Sequence, residues 1–240
     1  MTGGEFLNML RSMLTLESLH LEGEVVEVYD LYSHGLVGEY VEIPTIRSFS
    51  FSAIASPKYF IETILNTIRC PAVESMTISS LQALPLPSFP LLRSLELYGM
   101  SCGKFSKNFN FIHHSPLQTI SLLLCSFPMT LLRPLLPSTN GVDGGFVWPA
   151  LRIIELSHIG EKEVEGICSI VSHRHACGKP IEAISIDPIS LEKFPEKVEY
   201  MMQYVTVRPG RGLELYPPEL TVFQMIEYYS HDQLQKFFPC

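Results

Sequence analysis

Apolar residues return along this chain in one short pattern: a leading apolar residue, then, three and five positions later, a pair that alternates with polar ones. The clearest copy is Pro90-Leu91-Leu92-Arg93-Ser94-Leu95-Glu96-Leu97. Leu95 and Leu97 are two apart, so an extended strand points both to one face, and Leu92 enters the same interior from the preceding turn. The pattern also occupies Leu16 to Leu21, Pro44 to Phe51, Pro71 to Ile78, Pro116 to Leu122, Pro149 to Leu156 and Pro180 to Ile186. In four copies a charged residue and a serine open the strand: Glu17-Ser18, Arg47-Ser48, Glu74-Ser75 and Arg93-Ser94. Matching pairs at matching positions point to repetition.

One such unit is too small to bury three apolar side chains alone, whereas stacked units cover one another. The expected fold class is therefore α/β, a leucine-rich-repeat solenoid with a curved parallel sheet on the concave side and short helices and loops on the convex side. The leading residues Leu16, Ile46, Val73, Leu92, Leu117, Leu151 and Ile181 lie 19 to 34 residues apart, so the units are irregular. Residues 1–190 read as an array of about seven units and 191–240 as a C-terminal capping segment. An ordinary parallel sheet of βαβ units is the alternative.

Helix-period stripes predict helices over Glu5 to Leu14, Ser56 to Ile68 (with Ser56 as N-cap and Pro57 at the first position), Glu161 to His175 (with Gly178 as its stop) and Pro195 to Met202. Weaker stripes cover Lys104 to His113 and Met129 to Leu135. Leu84 to Pro87 reads as extended loop, Ser138 to Gly145 as a turn-rich insertion, and Tyr204 to Val207 as a last strand. The tail holding Tyr216, Phe223, Tyr228, Tyr229, Phe237 and Phe238 is expected to fold over the open end. The amino-terminal helix is the only cap in view, so the expectation is a chain that is the later portion of a longer architecture or descends from one.

Alternation also says which residues face away from the core. The first strands carry small hydroxyls: Ser18, Ser48, Ser50, Ser52, Ser75, Thr77 and Ser79. The later ones break that monotony with Tyr98, Leu123 and Ile153 between Glu96 and Glu155. An aromatic and two aliphatics ringed by charge resemble the centre of an interface. The candidate protein-binding residues on the concave face are Glu96, Tyr98, Ser121, Leu123, Ile153, Glu155, Ser157, Ser185 and Asp187.

Composition narrows the function. The chain has 240 residues, 46% apolar, with a formal net charge of -8. That charge, without a basic run, argues against phosphate-held nucleic acid. Six cysteines lack C-x-x-C spacing, and with no N-x-S/T acceptor they suit a reducing compartment, cytoplasm or nucleus. The apolar stretch Ile120 to Leu136 is interrupted by Arg133 and two prolines, so no membrane span is expected. No secretory or lipidation signal stands at either end, and the expectation is a protein neither exported nor lipid-anchored.

Motifs for chemistry are missing. There is no phosphate-cradling glycine loop and no G-x-S-x-G. His113-His114 beside Ser115 reads as a polar loop. His173-Arg174-His175-Ala176-Cys177 offers three metal donors but no fourth, and reads as a helix end whose histidines face the negative end of the dipole. Cys125 reads as a buried structural thiol. The expectation is no enzyme, no cofactor and no metal.

Three stretches carry a family resemblance: Phe6-Leu7-Asn8-Met9-Leu10-Arg11-Ser12-Met13-Leu14-Thr15-Leu16-Glu17-Ser18-Leu19-His20-Leu21, Phe89 to Leu97, and Trp148 to Leu156. Over about residues 5–190 the chain resembles the fungal-type F-box proteins with degenerate leucine-rich repeats. The resemblance implies the substrate-recognition region of an F-box-type subunit of a cullin-based ubiquitin ligase, with a protein substrate on the concave face. Two departures stand out. The F-box helices themselves are absent, so a Skp-type adaptor is a partner only where an F-box lies upstream. The asparagine that usually follows the strand is replaced by Ile54, Leu81, Met100, Cys125, Ile159 and Ile189. The alternative is a stand-alone repeat scaffold with no role in ubiquitin transfer.

Overall fold

Alternation of apolar with small polar residues leaves each short segment one face to bury, and parallel pairing with its neighbours satisfies its backbone. The computed structural model describes residues 1–23, 40–52, 58–79, 89–100, 115–126, 128–135 and 147–211. Its strands are β1 (Ser18–Glu22), β2 (Val41–Glu42), β3 (Ser48–Ser52), β4 (Ile68–Arg69), β5 (Ser75–Ser79), β6 (Ser94–Tyr98), β7 (Thr119–Leu123), β8 (Ile153–Leu156), β9 (Ala183–Ile186) and β10 (Thr206–Pro209). Eight of them form one parallel sheet in the order β1-β3-β5-β6-β7-β8-β9-β10, while β2 and β4 pair separately. The fold is thus α/β, and every strand of the main sheet lies beside its neighbours in sequence. The eighth strand carries the sheet past residue 190.

The register is as regular as the motif. First positions align as Ser18, Ser48, Ser75, Ser94, Thr119, Ile153, Ala183 and Thr206. From β1 to β9 of the main sheet the second and fourth positions, Leu95 and Leu97 in β6 and their equivalents, enter one contiguous core, while in β10 Val207 packs partly buried against it and Pro209 is exposed. Leu97, Phe51, Ile78 and Leu122 are completely buried. Each such side chain contributes roughly 1.5 to 3 kcal/mol of burial. The helices send their apolar residues into the same cluster: Phe6 and Leu10, Ile64 and Leu65, Val164, Ile167 and Val171. The opposite face keeps the polar positions.

Helix Gly3–Ser12 starts with a capping box, Thr2 accepting from the Glu5 amide and Glu5 from the Thr2 amide. Helix Lys58–Thr67 occupies the second predicted site; the expected cap Ser56 and Pro57 lie outside the described residues. Pro128–Leu132, continued by a single 3-10 turn Arg133–Leu135, replaces the predicted run from Met129. Glu161–Ala176 and Pro195–Met202 match their periodicity, and Gly178 ends the former at a φ of 68°. The last strand lies slightly later than the pattern predicted, at Thr206–Pro209. Pro188–Lys193 is a further short helix that periodicity did not reveal. Lys104 to His113, Leu84 to Pro87, Ser138 to Gly145 and the aromatic tail lie outside the described residues.

Both ends of the strands are closed by lateral hydrogen bonds. Before each strand, one carbonyl takes two amides from the next unit: Glu17 O from Arg47 and Ser48, Arg47 O from Glu74 and Ser75, Glu74 O from Arg93 and Ser94. After the strand, the sixth residue counted from its start turns left-handed in four units, Gly23, Gly99, Leu124 and His158, with φ of 69°, 66°, 53° and 57°. Its amide donates sideways to the fifth residue of the next unit. Gly23 reaches Ser52 O at 2.8 Å and Gly99 reaches Leu123 O at 3.0 Å. In the next two units a side chain replaces that carbonyl: Leu124 N reaches Ser157 Oγ at 2.7 Å and His158 N reaches Asp187 Oδ2 at 2.8 Å.

Candidate functional site

The third position of each strand builds one straight row across the polar face. In register it reads His20, Ser50, Thr77, Glu96, Ser121, Glu155, Ser185 and Arg208. Of the nine candidate residues, Glu96, Ser121, Glu155 and Ser185 therefore stand side by side. Tyr98 lies one alternation up on β6, level with Leu123 on β7. Ile153 lies one alternation down from Glu155, half-buried.

The candidates separate at the strand ends. Ser157 and Asp187, expected on the exposed face, are 1% and 3% exposed. The alternation that predicted them stops at Leu156 and Ile186, where the chain leaves the sheet. Each is instead a lateral clamp. Ser157 Oγ holds the Leu124 amide, and Asp187 holds the His158 amide while its other oxygen caps helix Pro188–Lys193 through the Ser190 amide at 3.0 Å. Leu123, expected as an exposed anchor, is completely buried yet belongs outside the main core, and Ser121 is 4% exposed. The face is open at β1, where Ser18, His20 and Glu22 are exposed, and closed at β7.

One residue that closes it was not foreseen. Arg211, just past β10, reaches back over the face, its Nη2 donating to Glu96 Oε2 at 2.6 Å and its Nη1 to the Tyr98 hydroxyl. Its Nε stands 3.5 Å from Glu155 Oε1, and Ser121 Oγ donates to the other oxygen of Glu155 at 3.0 Å. Burial lowers the guanidinium pKa, but the hydrogen bond and charge of Glu96, then the charges of Glu155 and Tyr98, raise it further, so the net shift is upward. The cation is fixed there. No local pattern finds such a residue, since Arg211 follows Glu96 by 115 positions.

Among the described residues no group of three or more histidine, cysteine or acidic side chains is placed to hold a metal ion. Cys177 Sγ lies 3.9 Å from the ring nitrogens of His173, but Arg174 between the two histidines turns inward and is fully buried. Its guanidinium donates to the carbonyls of Lys179, Val147, Trp148 and Leu151 at 3.1 to 3.4 Å, tying the helix end to the approach of β8. Burial pushes the Cys70 thiol up to about 12 and also raises Cys168, which makes both poor nucleophiles at neutral pH. Cys125 is buried against the Leu97 carbonyl, Sγ to O 3.4 Å. Cys125, Met100 and Ile159 are buried and apolar just past their strands; Ile189 instead lies exposed on its helix, and Ile54 and Leu81 are outside the described residues. The His113-His114 pair is outside them too.

Among the described residues no helix is long and apolar enough to cross a membrane. No family model, no curated protein and no solved structure matches this chain.

Proposed function

We propose that the chain is a leucine-rich-repeat solenoid whose polar sheet face binds another protein. The observation that carries this reading is the unbroken third-position row, eight residues in register on the face away from the core, running from hydroxyls at β3 and β5 to Glu96 and Glu155, with Tyr98 beside Glu96 on β6. Helices bury the other face of the sheet, and the row offers polar groups at the regular spacing of strands, about 4.8 Å. A protein surface is the ligand such an extended array fits.

The family resemblance supports a finer reading, the substrate-recognition region of an F-box-type subunit of a cullin-based ubiquitin ligase. Two experiments test the two levels. For the face, Ser50→Trp on β3 should abolish capture of partners that Lys162→Glu on helix Glu161–Ala176 leaves intact; equal capture by both rejects the face. For the ligase, full-length protein should co-purify with a Skp-type adaptor. Failure to do so would leave the stand-alone scaffold as the reading.

A further inference from the structure

We infer that Glu96, Tyr98 and Glu155 form an arginine-binding site, which Arg211 fills in cis and which a partner's arginine side chain fills in trans by displacing it. The inference rests on the sheet-face reading above and names the chemistry of the partner.

Three features make this a site and not merely an ion pair. First, each nitrogen of the Arg211 guanidinium faces a different side chain: Nη2 with Glu96, Nη1 with the Tyr98 hydroxyl, Nε with Glu155. That use of three separate directions suits a planar fork and not the single point charge of lysine. Second, the spacing fits. Glu96 and Glu155 lie level on β6 and β8, two strand spacings or about 9.6 Å apart, with only the small Ser121 between them. A guanidinium bridges that gap, and Ser121 steadies Glu155 by donating to the oxygen that Arg211 does not use. Third, among the described residues two carboxylates face one cation, a balance that favours a replacing cation.

Displacement is affordable in this geometry. Arg211 is 39% exposed while Glu96 and Glu155 keep only 19% and 14%, so loss of the cation alone would leave two largely buried carboxylates uncompensated, whereas exchange for another arginine leaves neither so. The residue before it, Gly210, is anchored through its amide to Ile186 O at 2.7 Å, so Arg211 can leave without unpairing β10 from β9.

The test uses a fluorescein-labelled hexa-arginine peptide, with hexa-lysine as its match, read by anisotropy against the full chain. Arg211→Gln should bind hexa-arginine at least about fivefold more tightly than wild type, the lower end of ordinary coupling between competing occupants. The gain should favour arginine over lysine and should vanish when Glu96→Gln is added. No gain, a gain that survives Glu96→Gln, or equal gain for the two peptides overturns the site. A second reading is taken on wild type: the Arg211 Nε–H resonance, assigned by its loss in Arg211→Lys, should move as hexa-arginine is added. Peptide binding that leaves that resonance in place also overturns it. If Ser50→Trp abolishes partner capture while Arg211→Gln gains nothing, the interaction face stands and the arginine site alone falls.

Discussion

Arg174 shows how far a single residue's role can depart from its type. A fully buried guanidinium with four carbonyl contacts holds Val147, Trp148 and Leu151 to the end of helix Glu161–Ala176. Arg174→Met keeps the stem and removes the donors, leaving carbonyls unsatisfied, and should lower unfolding free energy by about 2 to 4 kcal/mol. Trp148, the only tryptophan, should report the loss by a red-shifted emission. His158 offers a pH test. Its Nδ1 is enclosed with no partner among the described residues, and burial lowers its pKa against the smaller opposing pull of Asp187. With the folded value below the unfolded one, near 6.5, the unfolded chain takes up the proton first, and stability falls as pH drops through that value. Asparagine tolerates the left-handed backbone at this position. The melting temperatures of wild type and His158→Asn should therefore converge, or cross in favour of the variant, between pH 7.5 and 5; a constant difference would refute the assignment. Alternation made Glu96, Ser121 and Glu155 legible because all three lie inside strands. It misplaced Ser157 and Asp187 because the period of two ends with the strand, where the left-handed His158 follows Ser157 and helix Pro188–Lys193 follows Asp187. Arg174 and Arg211 were illegible for another reason: their partners come from segments far along the chain.

Between neighbouring strands, two kinds of ladder set the register. The residue before each strand alternates in sign along the sheet, Glu17, Arg47, Glu74, Arg93, then Gln118, Arg152, Glu182, aligned by the shared carbonyls of their backbones. Arg47 meets Glu74 at 2.7 Å and Arg152 meets Glu182 at 3.0 Å, both with more than half of the arginine exposed. Each pair contributes less than about 1 kcal/mol, so the row selects the register more than it stabilises the fold. The recurring charge and serine visible in the sequence are this ladder seen one residue at a time. Apolar strand positions carry the larger energy, and Leu97→Ala should cost about 2 to 5 kcal/mol in chemical denaturation. Gly210→Ala probes the far end. A Cβ there would stand 3.1 Å from the Ile186 carbonyl carbon, and backbone cannot swing aside as a side chain would. The substitution should lift the exit of β10 and loosen Arg211, seen as a weakened Arg211 Nε–H signal with the core unchanged; an unaltered signal would disprove that coupling. Long amphipathic helices were readable from their stripes, whereas Pro188–Lys193 and the pair β2 and β4 are too short to hold a full period.

For the whole molecule, the decisive fact is that among the described residues the strands of the main sheet stand in the order of the chain, interrupted only by β2 and β4, which pair with each other. Order, register and facing all follow from the repeated pattern, which is why the sheet could be read without any long-range information. The same topology sets how stability is distributed. In a stack of nearest-neighbour contacts, an inner unit is held from two sides and an end unit from one, so opening proceeds from the ends. Among the described residues β1 and β10 are the edges. β10 is also the most exposed strand, its Thr206, Arg208 and Pro209 open to solvent, and its proline lacks the amide that another strand would need. Hydrogen exchange on the native protein should therefore be graded, with amides of β6 and β7 outlasting those of β1 and β10 by roughly tenfold or more, equivalent to about 1.4 kcal/mol of additional opening cost. Mild denaturant should erode the edges before the centre. Uniform protection across all eight strands, collapsing at one denaturant concentration, would mean a single cooperative sheet and would count against the repeat reading on which the proposed function stands.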